Sequence, residues 1–137
     1  GPAKPEAVPQ AQAEYPAAIF VGAKHGKDLA EYYQQADLFV LPGTGGLAIQ
    51  QAMANGLPVI VAQGDGTQDD LVRPENGWLL PPNDLDSLTN TLSDALSDAG
   101  RLRVMGKESY RITKEEINLD KMVDVFINML NQTHKVK

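Results

Sequence analysis

The chain has 137 residues, of which 42% are hydrophobic and 22% charged, and its formal net charge is −6. That length and composition suit one folded domain with a modest core and argue against disorder. The acidic balance excludes a chain-wide attraction to nucleic acid or anionic lipid, although a local site can still take an anion. Cysteine is absent, which removes disulfide scaffolds and thiol chemistry. With His25 and His134 as the two histidines, a histidine-based metal site or triad has little material. No apolar run approaches the roughly 20 residues that span a bilayer, and no secretory leader pattern is visible. A cytoplasmic location is expected, with a peripheral membrane contact left open for a longer parent protein.

Taken in chain order, residues 1–16 contain Pro2, Pro5, Pro9 and Pro16, which predicts an extended or frayed arm. Ala17 to Gly22 is a short apolar run and reads as a buried strand. Asp28 to Gln35 follows with Leu29, Tyr32, Tyr33 and Ala36 at helical spacing. Asp37 to Leu41 is the next buried strand, ended by Pro42. Leu47 to Ala54 has helical composition and stops at Asn55-Gly56, and Pro58 to Ala62 is another strand. Gln68 to Val72 predicts a short helix, and Asn76-Gly77 a turn before a strand over Trp78 to Leu80. Asn83 or Asp84 can cap a helix that carries Leu85, Leu88, Leu92 and Leu96 on one face. Gly100 is expected to break it. A more polar helix then runs from Arg101 to about Glu116, a third begins at Asn118 with its apolar stripe ending at Leu130, and residues 132–137 form a polar tail. No internal repeat is present.

Strands that alternate with helices through residue 80 imply a parallel sheet with right-handed crossovers. The fold class is α/β: a three-layer, Rossmann-like parallel sheet followed by a helical segment. Ligands of such sheets bind beyond the carboxyl ends of the strands. Gly43, Gly45 and Gly46 lie at one such end, between a strand and a helix start. Glycines there let a ligand reach the backbone, and the positive end of the helix favours an anion such as a phosphate. A tight turn without a ligand is the competing reading. The loops at Gly22 to His25 and Gly64 to Thr67 reach the same edge. Asp65, Asp69 and Asp70 match no metal motif and suit a helix cap better. Trp78 is expected to be core, and His25 has no pairing residue.

Several strings carry a resemblance. Ala36 to Pro42, then Gly46-Leu47, then Gln51 to Ile60 resemble the carboxyl-terminal domain of glycosyltransferase family four, retaining enzymes of the GT-B fold. Ile19 to Gly22 looks like that family's strand ending in glycine, and Asn76 to Asp84 like its Asn-Gly…Pro-Pro-Gly-Asp segment. The match spans about residues 17–130, which makes residues 17–132 a donor-binding domain. It makes residues 1–16 an arm or the remnant of a preceding helix, and 133–137 a tail. The resemblance implies transfer of a sugar from a UDP- or GDP-linked donor to an acceptor, without metal or cofactor, and no nucleic-acid partner.

The resemblance also implies the site. Backbone N–H groups of Gly45, Gly46, Leu47 and Ala48 would hold the diphosphate, Gly43 and Thr44 would lie near the sugar, and Gln51 near the ribose. Gly22, Ala23 and Lys24 would lie near the base. The family motif is Glu, seven residues, Glu; here Gly43 and Gln51 stand in those two places. No catalytic residue is therefore assigned within the chain. The family's first strands and basic clamp precede the part that matches, so the chain reads as a fragment whose N-terminal domain is elsewhere, inactive alone. The two absent strands would lie between those at Ile19 and Leu38, which predicts direct re-pairing of these two or a strand-exchanged homodimer. Loss of both acids leaves open a non-catalytic nucleotide or sugar-phosphate module, or a structural piece acting by association.

Overall fold

The computed structural model describes residues 7–22, 24, 26–42, 46–64 and 68–117. Two compact units divide the chain, Gly1–Gln34 and Gln35–Lys137.

The first unit departs most from expectation. Ala7–Glu14 forms a helix, α1, in place of an extended arm. Pro9 is tolerated because it sits in the first turn, where N–H groups have no intrahelical partner to lose. Ala17 to Gly22 forms no strand. Ile19 is 88% exposed, and Phe20 and Val21 are each more than a third exposed. A run of apolar side chains becomes a strand only where its backbone groups find a neighbouring ladder, and this run is outside the sheet. Both expected outcomes, direct re-pairing and strand exchange, presuppose a strand at Ile19 to Gly22, and the described residues there form none. The second helix, α2, spans Gly26–Gln35, and none of its residues is fully buried. Leu29 and Tyr33 of its predicted stripe are half-buried while Tyr32 is exposed. Partial burial pushes the Tyr33 phenol up from its ordinary value.

The second unit is built on a parallel sheet of three strands, β1 (Phe39–Leu41), β2 (Val59–Ala62) and β3 (Gly77–Leu80), in the order β1-β2-β3. Phe39 pairs with Val59 and Ile60 with Trp78 in register. All four residues of the central β2 are buried, whereas Phe39, Val40 and Leu41 of β1 are only half-buried. Burial on both faces thus holds for the middle strand alone, because among the described residues each flanking strand has a paired neighbour on one side only. The order is the one expected for the second half of a Rossmann-like sheet.

Helices cover this sheet as α3 (Gly46–Ala54), α4 (Gln68–Leu71), α5 (Leu85–Leu96) and α6 (Ala99–Glu115). Ile60, Ala95 and Leu102 are buried together, with Val40, Trp78, Leu88 and Leu92 packed around them on the α5 side. Strand alternation turns Val59 and Val61 to the other face, where α3 contributes the fully buried Ile49, Ala52 and Met53. Of the predicted leucine stripe, Leu88 and Leu92 join the core while Leu85 and Leu96 stay exposed, at 73% and 63%. Gly100 does not break a helix. Ser97 closes α5, Asp98 caps α6, and Gly100 lies in the first turn of α6. Trp78 is half-buried against the core, with the Arg101 guanidinium 5.6 Å above its ring. The predicted helix from Asn118 lies outside the described residues.

One glycine pair sets how α3 and α6 lie. Gly56 has φ of +75°, and its N–H donates to the Met53 carbonyl at 2.9 Å while the Leu57 N–H donates to Ala52 at 3.2 Å. This pair of bonds closes α3 with the left-handed residue that glycine adopts most readily. A Cβ on Gly106 would stand 2.1 Å from the Gly56 carbonyl oxygen. The backbones therefore touch, and α6 runs back along α3 so that its carboxyl end lies beside the first turn of α3.

Candidate functional site

Three parallel strands end at Leu41, Ala62 and Leu80, and these ends mark the ligand edge of the sheet. On the α5 side of that edge is a cavity of about 290 Å³ lined by Leu41, Pro42, Ile60, Ala62, Leu80 and Asp84, among others. Its surface is mostly apolar. Its rim holds the Asp84 carboxylate, which accepts hydrogen bonds from the Ser87 N–H at 3.0 Å and hydroxyl at 2.8 Å. Those two bonds hold Asp84 below the usual carboxylate range and show its role as the cap of α5.

From Leu41 and Pro42 the chain passes through Gly43, Thr44 and Gly45, which lie outside the described residues, and re-enters as Gly46, the first residue of α3. The predicted diphosphate residues Gly46, Leu47 and Ala48 are together in the first turn. Leu47 is 66% exposed, while Gly46 and Ala48 are half-buried. No acidic side chain stands in this turn. The contrast with α5 and α6 is useful, since their amino ends are satisfied by Asp84 and Asp98. The dipole of α3 is thus not offset by an acid of its own first turn. Gln51 is exposed on the side of α3 away from Ile49, Ala52 and Met53. Of the predicted base-proximal residues, Gly22 and Lys24 belong to the first unit, and Ala23 lies outside the described residues.

A larger cavity, about 640 Å³, is lined by Gly46, Leu47, Gln50, Asp70, Arg73 and Glu116, among others. Arg73 donates from Nη1 and Nη2 to the two Glu116 carboxylate oxygens at 2.9 and 3.0 Å. This fork raises the Arg73 pKa and holds Glu116 below its ordinary value. Arg111 also reaches Glu116, at 3.3 Å, while bonding Glu108 and Glu115. Behind Arg73 is a buried hub. Asn76 is fully buried; its side-chain oxygen accepts from the Arg73 N–H at 2.7 Å, and its amide donates to the Leu71 carbonyl at 3.1 Å and to Ser109 Oγ at 3.3 Å. Asn76 is therefore a tether between the α4–β3 turn and α6 as well as a turn residue.

Sequence reasoning passed over Arg73 and Glu116 as site residues, and read Gln50 as a solvated or edge-packed helix polar. Arg73 and Glu116 are 43 residues apart, so no local spacing links them. The one available signal was that Arg73 precedes the Asn-Gly turn that the predicted strand needs. Among the described residues no cluster of His, Asp or Glu could hold a metal ion, and no helix is long and apolar enough to cross a membrane.

A parallel sheet with a helix that starts beyond its carboxyl edge, without acids in its first turn, has the α/β architecture of a Rossmann-like domain. Residues 11–112 match the family described as glycosyl transferases, group 1, and the chain belongs to that family. It is 32% identical over 106 residues to the sulfoquinovosyl transferase of Arabidopsis thaliana, a match that takes in 72% of this chain and 20% of the relative. It is 38% identical over 89 residues to a GDP-mannose-dependent alpha-mannosyltransferase of Mycobacterium tuberculosis, covering 63% of this chain and 23% of the relative. The whole chain also superposes on sucrose-phosphate synthase from Thermosynechococcus elongatus with a TM-score of 0.88 at 26% identity, covering 38% of that protein. The GT-B fold expected from the sequence is thus that of this chain's matched part. The chain spans about a fifth to a quarter of the curated relatives named here.

Proposed function

We propose that this chain is the donor-binding part of a glycosyltransferase that moves a sugar from a nucleoside-diphosphate donor to an acceptor. The observation that carries it is the start of α3: an amino end without first-turn acids, at the carboxyl edge of a parallel sheet, in a group 1 glycosyl transferase. In this reading the N–H groups of Gly45, Gly46, Leu47 and Ala48 steady the diphosphate, first in the donor and then as the leaving group. Gly43 and Thr44 lie toward the sugar, Gln51 toward the ribose, and Gly22, Ala23 and Lys24 toward the base. Gln51 can exchange hydrogen bonds with a ribose hydroxyl without a carboxylate's charge. The remaining domain of the parent supplies acceptor and further donor contacts. GDP is the first nucleotide to test, because relatives from Mycobacterium tuberculosis and Corynebacterium glutamicum are named as GDP-mannose-dependent.

Titration calorimetry with GDP, UDP and ADP, on the parent protein and on this chain, tests the reading. Binding of GDP or UDP by the parent is expected, and a carboxylate placed in the first turn by Ala48→Asp should weaken it at least tenfold. No binding of any of the three nucleotides by the parent would sink the proposal. The replacement of both motif acids, by Gly43 and Gln51, favours one second reading: a nucleotide-binding module without transfer activity. Gly43→Glu with Gln51→Glu separates the two, since gain of transfer by the double variant alone marks the native chain as non-catalytic.

A further inference from the structure

Glu116, just past the end of α6, lines the same cavity as Gly46, Leu47 and Gln50 at the start of α3. A carboxylate in that place opposes an anion held at the helix start. Asp70 lines the cavity too and is exposed, where solvent and salt screen it. Glu116 is answered differently. Arg73 meets both of its oxygens, at 2.9 and 3.0 Å. Arg111 reaches it at 3.3 Å but also serves Glu108 and Glu115. Among the described residues, the one carboxylate at salt-bridge distance from Arg73 is that of Glu116. The arginine is itself held, because Nη2 also donates to the Asp70 carbonyl at 3.3 Å and its backbone N–H to the buried Asn76.

We propose that Arg73 is a positioning residue for donor binding: it neutralises Glu116 and holds its carboxylate in a fork, so that Glu116 does not repel a nucleoside diphosphate at α3. This deepens the donor-binding reading and rests on it. A simple clamp between the α4–β3 turn and α6 would use the same pair of side chains, but the two roles respond differently to substitution. If the pair is only a clamp, removing either partner loosens it equally. If Arg73 acts by charge, removing Arg73 harms binding and removing Glu116 does not.

The experiment is calorimetric titration of GDP and UDP into the parent protein carrying Arg73→Met, Glu116→Gln, or both, at low and at high salt. Arg73→Met is expected to weaken binding about tenfold at low salt, with the gap narrowing to about twofold at high salt. Glu116→Gln should bind at least as tightly as the unaltered protein, and adding it to Arg73→Met should restore most of the loss. Equal weakening by the two single variants, or full affinity in Arg73→Met, overturns the inference while leaving the donor-binding reading standing. Absence of binding in the unaltered protein removes that reading, and this inference with it. The double variant guards against misfolding, since it lacks the clamp altogether and must still bind.

Discussion

Two short apolar runs, Ile19-Phe20-Val21 in the first unit and Val59-Ile60-Val61 in the second, are close in composition and end in opposite states. The second run is the middle strand of a sheet and at most 1% exposed; the first forms no strand, and its Ile19 is 88% exposed. The difference is in their surroundings. Val59 to Val61 has a hydrogen-bonded neighbour on each side and helices over the sheet. Among the described residues the backbone of Ile19 to Val21 joins no such ladder, so burying its side chains would strand polar groups. Hydrophobicity alone does not make a strand; paired edges do.

Substitution at the two isoleucines is the strongest way to break this comparison. Ile60→Ala should cost about 3–4 kcal/mol, because it opens a cavity in the core shared with Ala95 and Leu102. Ile19→Ala should change stability by no more than about 0.5 kcal/mol. Urea unfolding of both variants measures this, and similar losses would show that the first run is buried in solution. Next in size is Gly106→Ala. The added Cβ would meet the Gly56 carbonyl, and about 2–3 kcal/mol of overpacking is expected in the same assay. A neutral result would mean that α6 does not touch the end of α3, and that the second unit is looser than its core implies.

A smaller loss than at Ile60 or Gly106 sharpens how the second unit's helices begin. Asp84→Ala removes the cap of α5 and should cost about 1 kcal/mol. Asp84 and Glu116 both titrate below their ordinary values of 3.8 and 4.5 in the folded chain, Asp84 through Ser87 and Glu116 through Arg73. A depressed carboxylate favours folding above its unfolded pKa, and that contribution disappears as pH falls through the folded one. Thermal melts should therefore hold steady from pH 7 to about 5 and fall below about 4.5. In Asp84→Ala with Glu116→Gln the acid-side drop should be smaller; an unchanged drop would assign it to other carboxylates.

Much of the second unit was legible beforehand because its signals are local. Asn55-Gly56 ends α3 through a left-handed glycine, and Asp84 caps α5 through its own side chain. Leu88 and Leu92 fall on the buried face by helical spacing. Leu85 and Leu96 share that spacing but lie at the ends of the helix, where the sheet no longer covers them. Pro9 misled in the other direction, since a proline in the first turn is compatible with a helix. At the candidate site, Gly46 to Ala48 could be placed from the turn and from the family strings. Arg73 and Glu116 could not, because only the return of α6 along α3 brings them together.

By itself, then, the order of residues determined a parallel α/β sheet, the helix start beyond β1 and membership of the group 1 glycosyl transferases. These depend on periodicity, turn chemistry and motif strings, all of them short-range in the chain. Tertiary structure alone decided which apolar runs found a ladder, which face of each helix was covered and which charges met across the cavity at α3. Those outcomes depend on contacts between distant segments, and each requires backbone groups or side chains whose partners no local pattern names.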